Sequence, residues 1–155
     1  MESNMKNMNI AITVDDGSRR VPIHNAQGEE IGSFTFHPTD IGIIDRFNRM
    51  AEGFDAITLP LEALAAGEDG KLPDLGDERL RGALAEAERR LRQAVNELFG
   101  SGDAAEAFFG CMHPFSPVNG EFYCAQVLRK VGEFIGRQFD TETKAMGKRV
   151  RKYLK

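Results

Sequence analysis

The sequence lacks most of the features that mark a specialised class of protein. It has no tryptophan and only two cysteines in 155 residues, and Cys111 and Cys124 do not form a C-x-x-C pair. Two cysteines cannot build a disulfide framework in a chain of this length, so we expect a reducing compartment. No apolar run approaches the ~20 residues of a membrane-spanning helix, and the first residues lack the apolar segment of a signal peptide.

The chain also lacks an excess of positive charge. Its net charge is -4, whereas proteins that bind nucleic acid through their phosphates present a basic surface. The apolar content of 41% and the charged content of 28% are close to those of globular proteins. We therefore predict one cytoplasmic domain over residues 1–155, with neither nucleic acid nor membrane as a partner.

Alternating apolar residues in the first quarter of the chain predict β-strands. Apolar side chains alternate along Asn9–Val14, flank Pro22, and alternate again along Ile31–Phe36. A period of two residues is typical of a half-buried strand, and turn residues separate the three segments. Proline has no N–H, so the middle strand should lie at an edge. The pattern predicts an antiparallel β-meander over residues 9–37.

Helical periodicity replaces this alternation after Thr39, whose hydroxyl we expect to cap a first helix. We predict that this helix ends or kinks at Pro60, because proline interrupts the backbone hydrogen-bond ladder. Residues 65–76 are rich in glycine and acidic residues and are typical of a mobile loop. The clearest helix spans Asp77–Phe99 and should end at Gly100, because glycine enters the left-handed conformation easily.

Two further helices complete the predicted body over residues 39–155. A short one covers Ala104–Phe109 and stops at Gly110, and a long amphipathic one follows Asn119, which we predict as its N-cap. The apolar stripe of the long helix starts at Cys124 and continues to the basic C-terminus. Strands that precede helices in this way predict an α+β fold, in which a small N-terminal meander packs on a mainly helical body.

Histidine is scarce, and no catalytic signature surrounds it. His24, His37 and His113 do not lie in a zinc-protease or nucleophile-elbow motif, so we predict that the protein is not an enzyme and needs no cofactor. A zinc site is the sharper alternative. Cys111, His113 and Cys124 could supply three ligands and His37 a fourth, although a cysteine on an apolar helix stripe usually behaves as a small hydrophobe.

Phenylalanine is abundant, with eleven residues in the chain. Five of them crowd the region around a Pro/Gly-containing loop: Phe99, Phe108, Phe109, Phe115 and Phe122. Such a cluster fits an ordinary aromatic core at a helix corner. It also fits an apolar groove for a partner segment. The sequence leaves both interpretations open.

Several short runs resemble a family of small proteins from siphophages and prophages of Gram-positive hosts. They are Phe34–Phe47, Leu98–Gly100, Phe109-Gly110, His113–Phe122 and the basic end around Tyr153. Members of this family are regarded as tail assembly chaperones encoded near the tape measure protein. The resemblance spans roughly residues 9–155.

The resemblance implies a non-catalytic role in the host cytoplasm during virion morphogenesis. Such a chaperone coats the apolar, helical tape measure protein until the tail tube polymerises around it, which makes the tail tube protein a second candidate partner. Small interfaces on many copies would suit later release, and a homo-oligomer is compatible with this role. On this basis we predict a partner-binding or self-association surface formed by Phe108, Phe109, Phe115, Phe122, Val150, Tyr153 and Leu154.

A different class of function also fits the sequence. A phage accessory or regulatory module could sequester a host protein or a small ligand, and small acidic α+β proteins suit that role equally well. A protein that sequesters a small ligand should bring polar and basic side chains together in one pocket. The sequence does not reveal such a convergence.

Overall fold

The computed structural model describes residues 10–66 and 76–153, without the side chains of residues 62–66 and 150–153. It confirms the α+β class, with an N-terminal antiparallel β-hairpin on a mainly helical body and a long C-terminal helix. The predicted mobile loop lies mostly at residues 67–75, outside the described residues. The elements in chain order are β1 (Arg19–His24), β2 (Glu30–Phe36), α1 (Gly42–Ala66), α2 (Glu78–Phe99), α3 (Ala104–Phe109), β3 (Pro117–Val118), β4 (Glu121–Phe122) and α4 (Tyr123–Tyr153).

The strands β1 and β2 form the predicted hairpin. They pair in antiparallel register with Val21 opposite Phe34. The turn between them is held by the side chain of Asn25, whose Oδ1 accepts hydrogen bonds from the N–H groups of Gln27 and Glu29, both at 3.0 Å. This Asx geometry explains why a short polar segment reverses the chain here.

The predicted first strand over Asn9–Val14 is wrong. Asn9 lies outside the described residues, and residues 10–14 pair with no described strand. The side chains of Ile10, Ile12 and Val14 are 97%, 92% and 73% exposed. Alternation alone therefore did not make a strand here, since no strand of residues 10–66 or 76–153 pairs with this segment. The sheet is a two-stranded hairpin instead of a three-stranded meander.

Helix α1 departs from its prediction at both ends. Its first turn is capped by Asp40 instead of Thr39, since Asp40 Oδ1 accepts a hydrogen bond from the Gly42 N–H at 3.0 Å. The helix also runs through Pro60 to Ala66, so it does not end at the proline. Ile57 and Leu61 are buried on either side of Pro60, and we attribute the continuation to their packing, which outweighs one lost hydrogen bond.

Helices α2 and α3 form as predicted. Asp77 caps α2 by accepting from the Arg79 N–H at 2.8 Å, and Gly100 ends the helix in the left-handed conformation with φ 62°. Helix α3 covers Ala104–Phe109 and is followed by Gly110. Local signals decided α2 because its amphipathic stripe and both of its caps agree with the packing.

Asn119 does not cap the last helix. It forms, with Gly120, the two-residue loop between β3 and β4, and both residues have positive φ values, 54° and 82°. Two positive φ values identify a type I′ hairpin turn, for which Asn-Gly is a preferred sequence. Helix α4 starts later, at Tyr123, and its first N–H groups donate to the carbonyls of Ser116 and Pro114, both at 2.8 Å.

The core lies where the hairpin meets the helices. The ring of Phe99 packs edge-on against Phe34 and Phe36, each with ring centroids 4.8 Å apart. Phe134 of α4 reaches the same aromatic group at 6.3 Å from Phe36. One continuous core thus joins β2, α2, α3 and α4, and aromatic pairs of this geometry add to the burial energy.

Candidate functional site

The predicted phenylalanine surface belongs mostly to the core. Phe108, Phe109 and Phe115 are buried, and Phe122 is half-buried and packs edge-on against Phe115. Buried rings cannot form an accessible partner surface, so these three residues are corrected to core positions. Tyr123 adds to the same cluster by donating its hydroxyl hydrogen bond to the carbonyl of Phe108 at 3.1 Å.

The terminal part of the predicted surface is not described in full. The backbone of Val150 and Tyr153 lies in α4, but their side chains and all of Leu154 lie outside the described residues. Upstream on the same helix, Met146 is 65% exposed. The apolar stripe that is buried from Cys124 to Ile135 therefore leaves the core before residue 146.

The residues of the zinc alternative are held by separate contacts. Cys124 is fully buried, and burial raises the pKa of its thiol to about 12, while Cys111 is exposed. His113 lies 3.7 Å from Glu88, and His37 contacts Asp16 at 2.9 Å on the hairpin side. Among the described residues, no group of three metal-ligating side chains comes together.

A groove between α1 and α2 combines an apolar floor with charged side chains along its edges. Its volume is about 510 Å³. Met50, Gly53 and Ile57 of α1 and Ala94 and Leu98 of α2 supply its apolar lining. A Cβ built on Gly53 would meet no heavy atom within 4 Å, so the lining is open above this glycine.

Four arginines and one carboxylate, Glu97, surround this apolar lining, together with Gln93. The arginines are Arg46, Arg49, Arg89 and Arg90. Carboxylates on the same helices hold two of them, since Arg49 pairs with Asp45 at 3.0 Å and Arg89 pairs with Glu86. The Arg89 guanidinium keeps the pKa of Glu86 below its usual value, so this pair is charged at neutral pH. Exposed pairs of this kind exchange partners easily because water screens them.

Arg46 has a structural role at the end of the same groove. Its Nε donates to the carbonyl of Leu98 at 2.9 Å, and its guanidinium contacts Asp40 at 3.2 Å. A hydrogen bond to the backbone of Gly42 and this contact both lower the pKa of Asp40. Arg46 thereby connects the start of α1 to the last turn of α2, where it donates a hydrogen bond to a carbonyl group that has no partner within the helix.

Sequence reasoning missed this groove, although a signal for it exists. Arginines recur three residues apart at Arg46 and Arg49 and stand side by side at Arg89 and Arg90, which places basic groups along one edge of each helix. The sequence does not say that the two edges face one another. The two edges face one another because α1 and α2 pack against each other in the folded chain.

A second concave region separates β1 from α4. It consists of two neighbouring crevices of about 280 and 660 Å³, which share Ile23, His24, Phe108 and Lys130. The smaller crevice is mainly apolar, and its lining includes Val21, Phe34, Phe36, Val131 and Phe134. The face of the hairpin that packs on the helices is therefore left partly uncovered beside β1.

Comparison with protein-family models, curated proteins and solved structures finds no match to this chain. Within residues 10–66 and 76–153, no helix has the combination of length and apolar character needed to cross a membrane.

Proposed function

We propose that this protein is a non-catalytic tail assembly chaperone that binds amphipathic helical segments of a phage tape measure protein in the host cytoplasm. Two independent lines support this proposal. The sequence resembles that family over most of its length, and the α1–α2 groove has the chemistry that an amphipathic helix would need. The groove replaces the buried phenylalanines as the partner-binding surface.

The length of the groove carries the proposal. Its lining residues extend from Arg46 to Ile57 on α1 and from Arg89 to Leu98 on α2. At 1.5 Å per residue these spans correspond to about 16 Å and about 13 Å, the length of two to three turns of a bound helix. An apolar stripe laid along such a groove is the usual way in which a helix is recognised.

The charge around the groove defines the partner further. A helix whose apolar stripe is flanked by Asp or Glu would place these carboxylates beside Arg49, Arg89 and Arg90. Arginine binds carboxylates in a bidentate geometry, and the guanidinium groups can exchange Asp45 or Glu86 for a partner's acid. Binding should therefore weaken with salt, which suits a chaperone that releases its cargo when the tail tube assembles.

The test measures whether the chain still captures the tape measure protein when a substituted side chain fills the groove. We expect the wild-type chain, co-expressed with the tape measure protein, to keep it soluble and to co-purify with it. Gly53→Leu should abolish capture, because the leucine occupies the open space above the apolar lining. Gly82→Leu is the matched control, since Gly82 also has open space around it but lies outside the groove.

Two results would contradict the proposal at different levels. Capture by Gly53→Leu at the wild-type level would remove the groove as the binding site. Failure of the folded wild-type chain to capture the tape measure protein would remove the chaperone function itself.

A second candidate function is sequestration of an anionic small ligand or an acidic host protein. The convergence of four arginines on one groove favours it, because basic groups gathered in one place attract anions. Calorimetric titration with ATP as an anionic probe separates the two functions. A small anion should bind Gly53→Leu normally and lose affinity for Arg89→Gln/Arg90→Gln, whereas a helical partner should be lost by Gly53→Leu.

A further inference from the structure

The segment Ile10–Val14 carries an apolar face that nothing covers. Its side chains Ile10, Ile12 and Val14 lie on that face and are exposed to solvent. No strand of residues 10–66 or 76–153 pairs with this segment. Water in contact with several neighbouring aliphatic groups is unfavourable, so an exposed apolar surface of this kind is usually an interaction site.

The residues between this segment and β1 form a loop that is held by its own side chains. Asp15 Oδ1 accepts a hydrogen bond from the Gly17 N–H at 2.9 Å, and Asp16 Oδ1 accepts one from the Ser18 N–H at 2.9 Å. The Asp15 carboxylate also forms an ion pair with Arg19 at 3.0 Å. Gly17 has a φ of 80°, the left-handed conformation that tight hairpin loops use. The ion pair thus ties the end of the segment to the first residue of β1.

A contact with the end of β2 fixes the position of this loop. Asp16 Oδ2 lies 2.9 Å from Nε2 of His37, and this hydrogen bond lowers the pKa of Asp16 far below its usual value. His37 directly follows Phe36, which pairs with Arg19. The loop therefore lies at the end of the hairpin where β1 begins. A connection that leads the chain back along β1 has to lie at this end.

The outer edge of β1 offers both an open ladder and an open crevice. β1 pairs with β2 on one side, and within the part of the chain that the structure describes no strand occupies the other side. The crevice of about 280 Å³ beside this edge is lined in part by Val21, Ile23, Phe34 and Phe134. Val21 and Ile23 are half-buried and Pro22 between them is exposed, so the Val21 side of β1 is the one that faces the helices.

We propose that Ile10–Val14 is a strap that closes onto the outer edge of its own β1 as a third antiparallel strand and covers this crevice. In the register that the four-residue loop sets, Val14 lies opposite Arg19 and Ile12 lies opposite Val21. Residues directly opposite in a sheet share one face, so the apolar side chains of the strap turn towards the crevice. A shift of one residue would turn them all to solvent. The structure holds the strap in its open position.

The other face of the strap and the edge of β1 both suit a strand that opens and closes. The same register places Thr13 opposite Arg20 and Ala11 opposite Pro22, so small or polar groups face solvent. Proline has no N–H, and the added ladder therefore lacks one hydrogen bond at that position. β1 binds the strap with fewer hydrogen bonds than an uninterrupted strand would provide.

The strap is the favoured occupant of this edge because it belongs to the same chain. Residues 15–18 alone separate it from β1, and a four-residue loop is a common hairpin connection. A short linker of this kind gives an effective concentration on the order of mM, which a separate chain reaches only at very high concentration. Any other extended segment that binds this edge has to displace the strap.

The first test compares the reactivity of single thiols in the full-length chain. In a Cys111→Ser background, Ile12→Cys should react with a maleimide several-fold more slowly than Thr13→Cys, because closure turns residue 12 towards the crevice and residue 13 to solvent. Cys124 is fully buried in both proteins. Equal rates would overturn the proposal. So would a rate for Ile12→Cys that falls as the protein concentration rises, because pairing would then occur between copies.

The second test traps the closed position directly. In the same background, mild oxidation of Ile12→Cys/Val21→Cys should form a disulfide within one chain, since opposed residues of a strand pair have Cβ atoms near disulfide distance. The control Ala11→Cys/Val21→Cys moves one thiol to the opposite face and should lose this disulfide. Denaturing electrophoresis without reductant separates the products. Equal yields in the two variants, or a disulfide that joins two chains, would contradict the proposal.

Discussion

Glycine has opposite roles at two positions in this chain. In β2, a Cβ built on Gly32 would lie 2.5 Å from the carbonyl oxygen of Ala107, so the strand and α3 approach one another as closely as their backbones allow. In α2, a Cβ on Gly82 would meet no heavy atom within 4 Å, and this glycine is exposed. The same residue type thus permits packing in one place and only weakens a helix in the other.

This contrast predicts that alanine changes stability with opposite signs. Gly32→Ala should lower the free energy of unfolding by ~1–3 kcal/mol, because β2 or α3 must move to admit the methyl group. Gly82→Ala should raise it by about 1 kcal/mol, because alanine is the better helix former. Urea unfolding followed by circular dichroism measures both. A stabilising Gly32→Ala would mean that the close approach of β2 and α3 is not required.

The elements of this fold differ in how far the sequence alone could predict them. Helix α2 was predictable because its apolar stripe, its cap at Asp77 and its stop at Gly100 are all local signals. The Asn119-Gly120 hairpin carries an equally local signal, but its strands have two residues each and show no period. The unpaired state of Ile10–Val14 was not predictable, because alternation reports a preferred conformation and not the presence of a neighbour.

Two polar side chains of α2, Arg92 and Asn96, bond to the backbone of α3, and Asn96 Oδ1 accepts from the Ala105 N–H at 2.8 Å. Arg92 donates to the carbonyl of Phe109 at 3.0 Å and forms ion pairs with Glu88 at 3.2 Å and Glu106 at 3.4 Å. The pair with Glu88 lies within α2, whereas the other two partners belong to α3. The Arg92 guanidinium therefore provides a hydrogen-bond donor for the last carbonyl group of α3. This helix is short, and its N-cap residue makes no side-chain hydrogen bond to it.

We expect Arg92→Met to lower the free energy of unfolding by ~1–3 kcal/mol, because the aliphatic stem remains while the Phe109 carbonyl loses its partner. Arg89→Met is the matched control. It removes an exposed ion pair with Glu86 on the same helix and should change stability little. Chemical denaturation of both variants provides the comparison. Equal effects would show that the α2–α3 connection does not depend on the Arg92 hydrogen bonds.

At the scale of the whole molecule, the sequence identified the apolar and aromatic residues of interest, but it did not predict which of them folding buries and which it leaves accessible. The sequence shows the phenylalanine cluster. It leaves open whether these rings lie in the core or line a groove, because composition does not specify how deeply a side chain is buried. Folding buries Phe108, Phe109 and Phe115, and it leaves the α1–α2 groove and the Ile10–Val14 segment among the accessible apolar features of the described residues. The groove depends on contacts between distant segments, so the local arginine pattern could not show that its two edges face one another.

The fully buried thiol of Cys124 makes the stability of the whole chain sensitive to alkaline pH. Burial raises its pKa from 9.0 to about 12, so the folded chain keeps a proton that the unfolded chain loses above about pH 9. Where the folded state binds more protons, the free energy of unfolding falls as pH rises.

We therefore expect the free energy of unfolding of the wild type to decline between pH 9 and 12. That of Cys124→Ala should decline less steeply, and it should be lower than that of the wild type at neutral pH because the buried sulfur is lost. Tyr123, whose pKa burial also raises, remains in both proteins and accounts for the residual slope. Urea unfolding at a series of pH values measures the two slopes, and parallel curves would exclude Cys124 as the source of the alkaline decline.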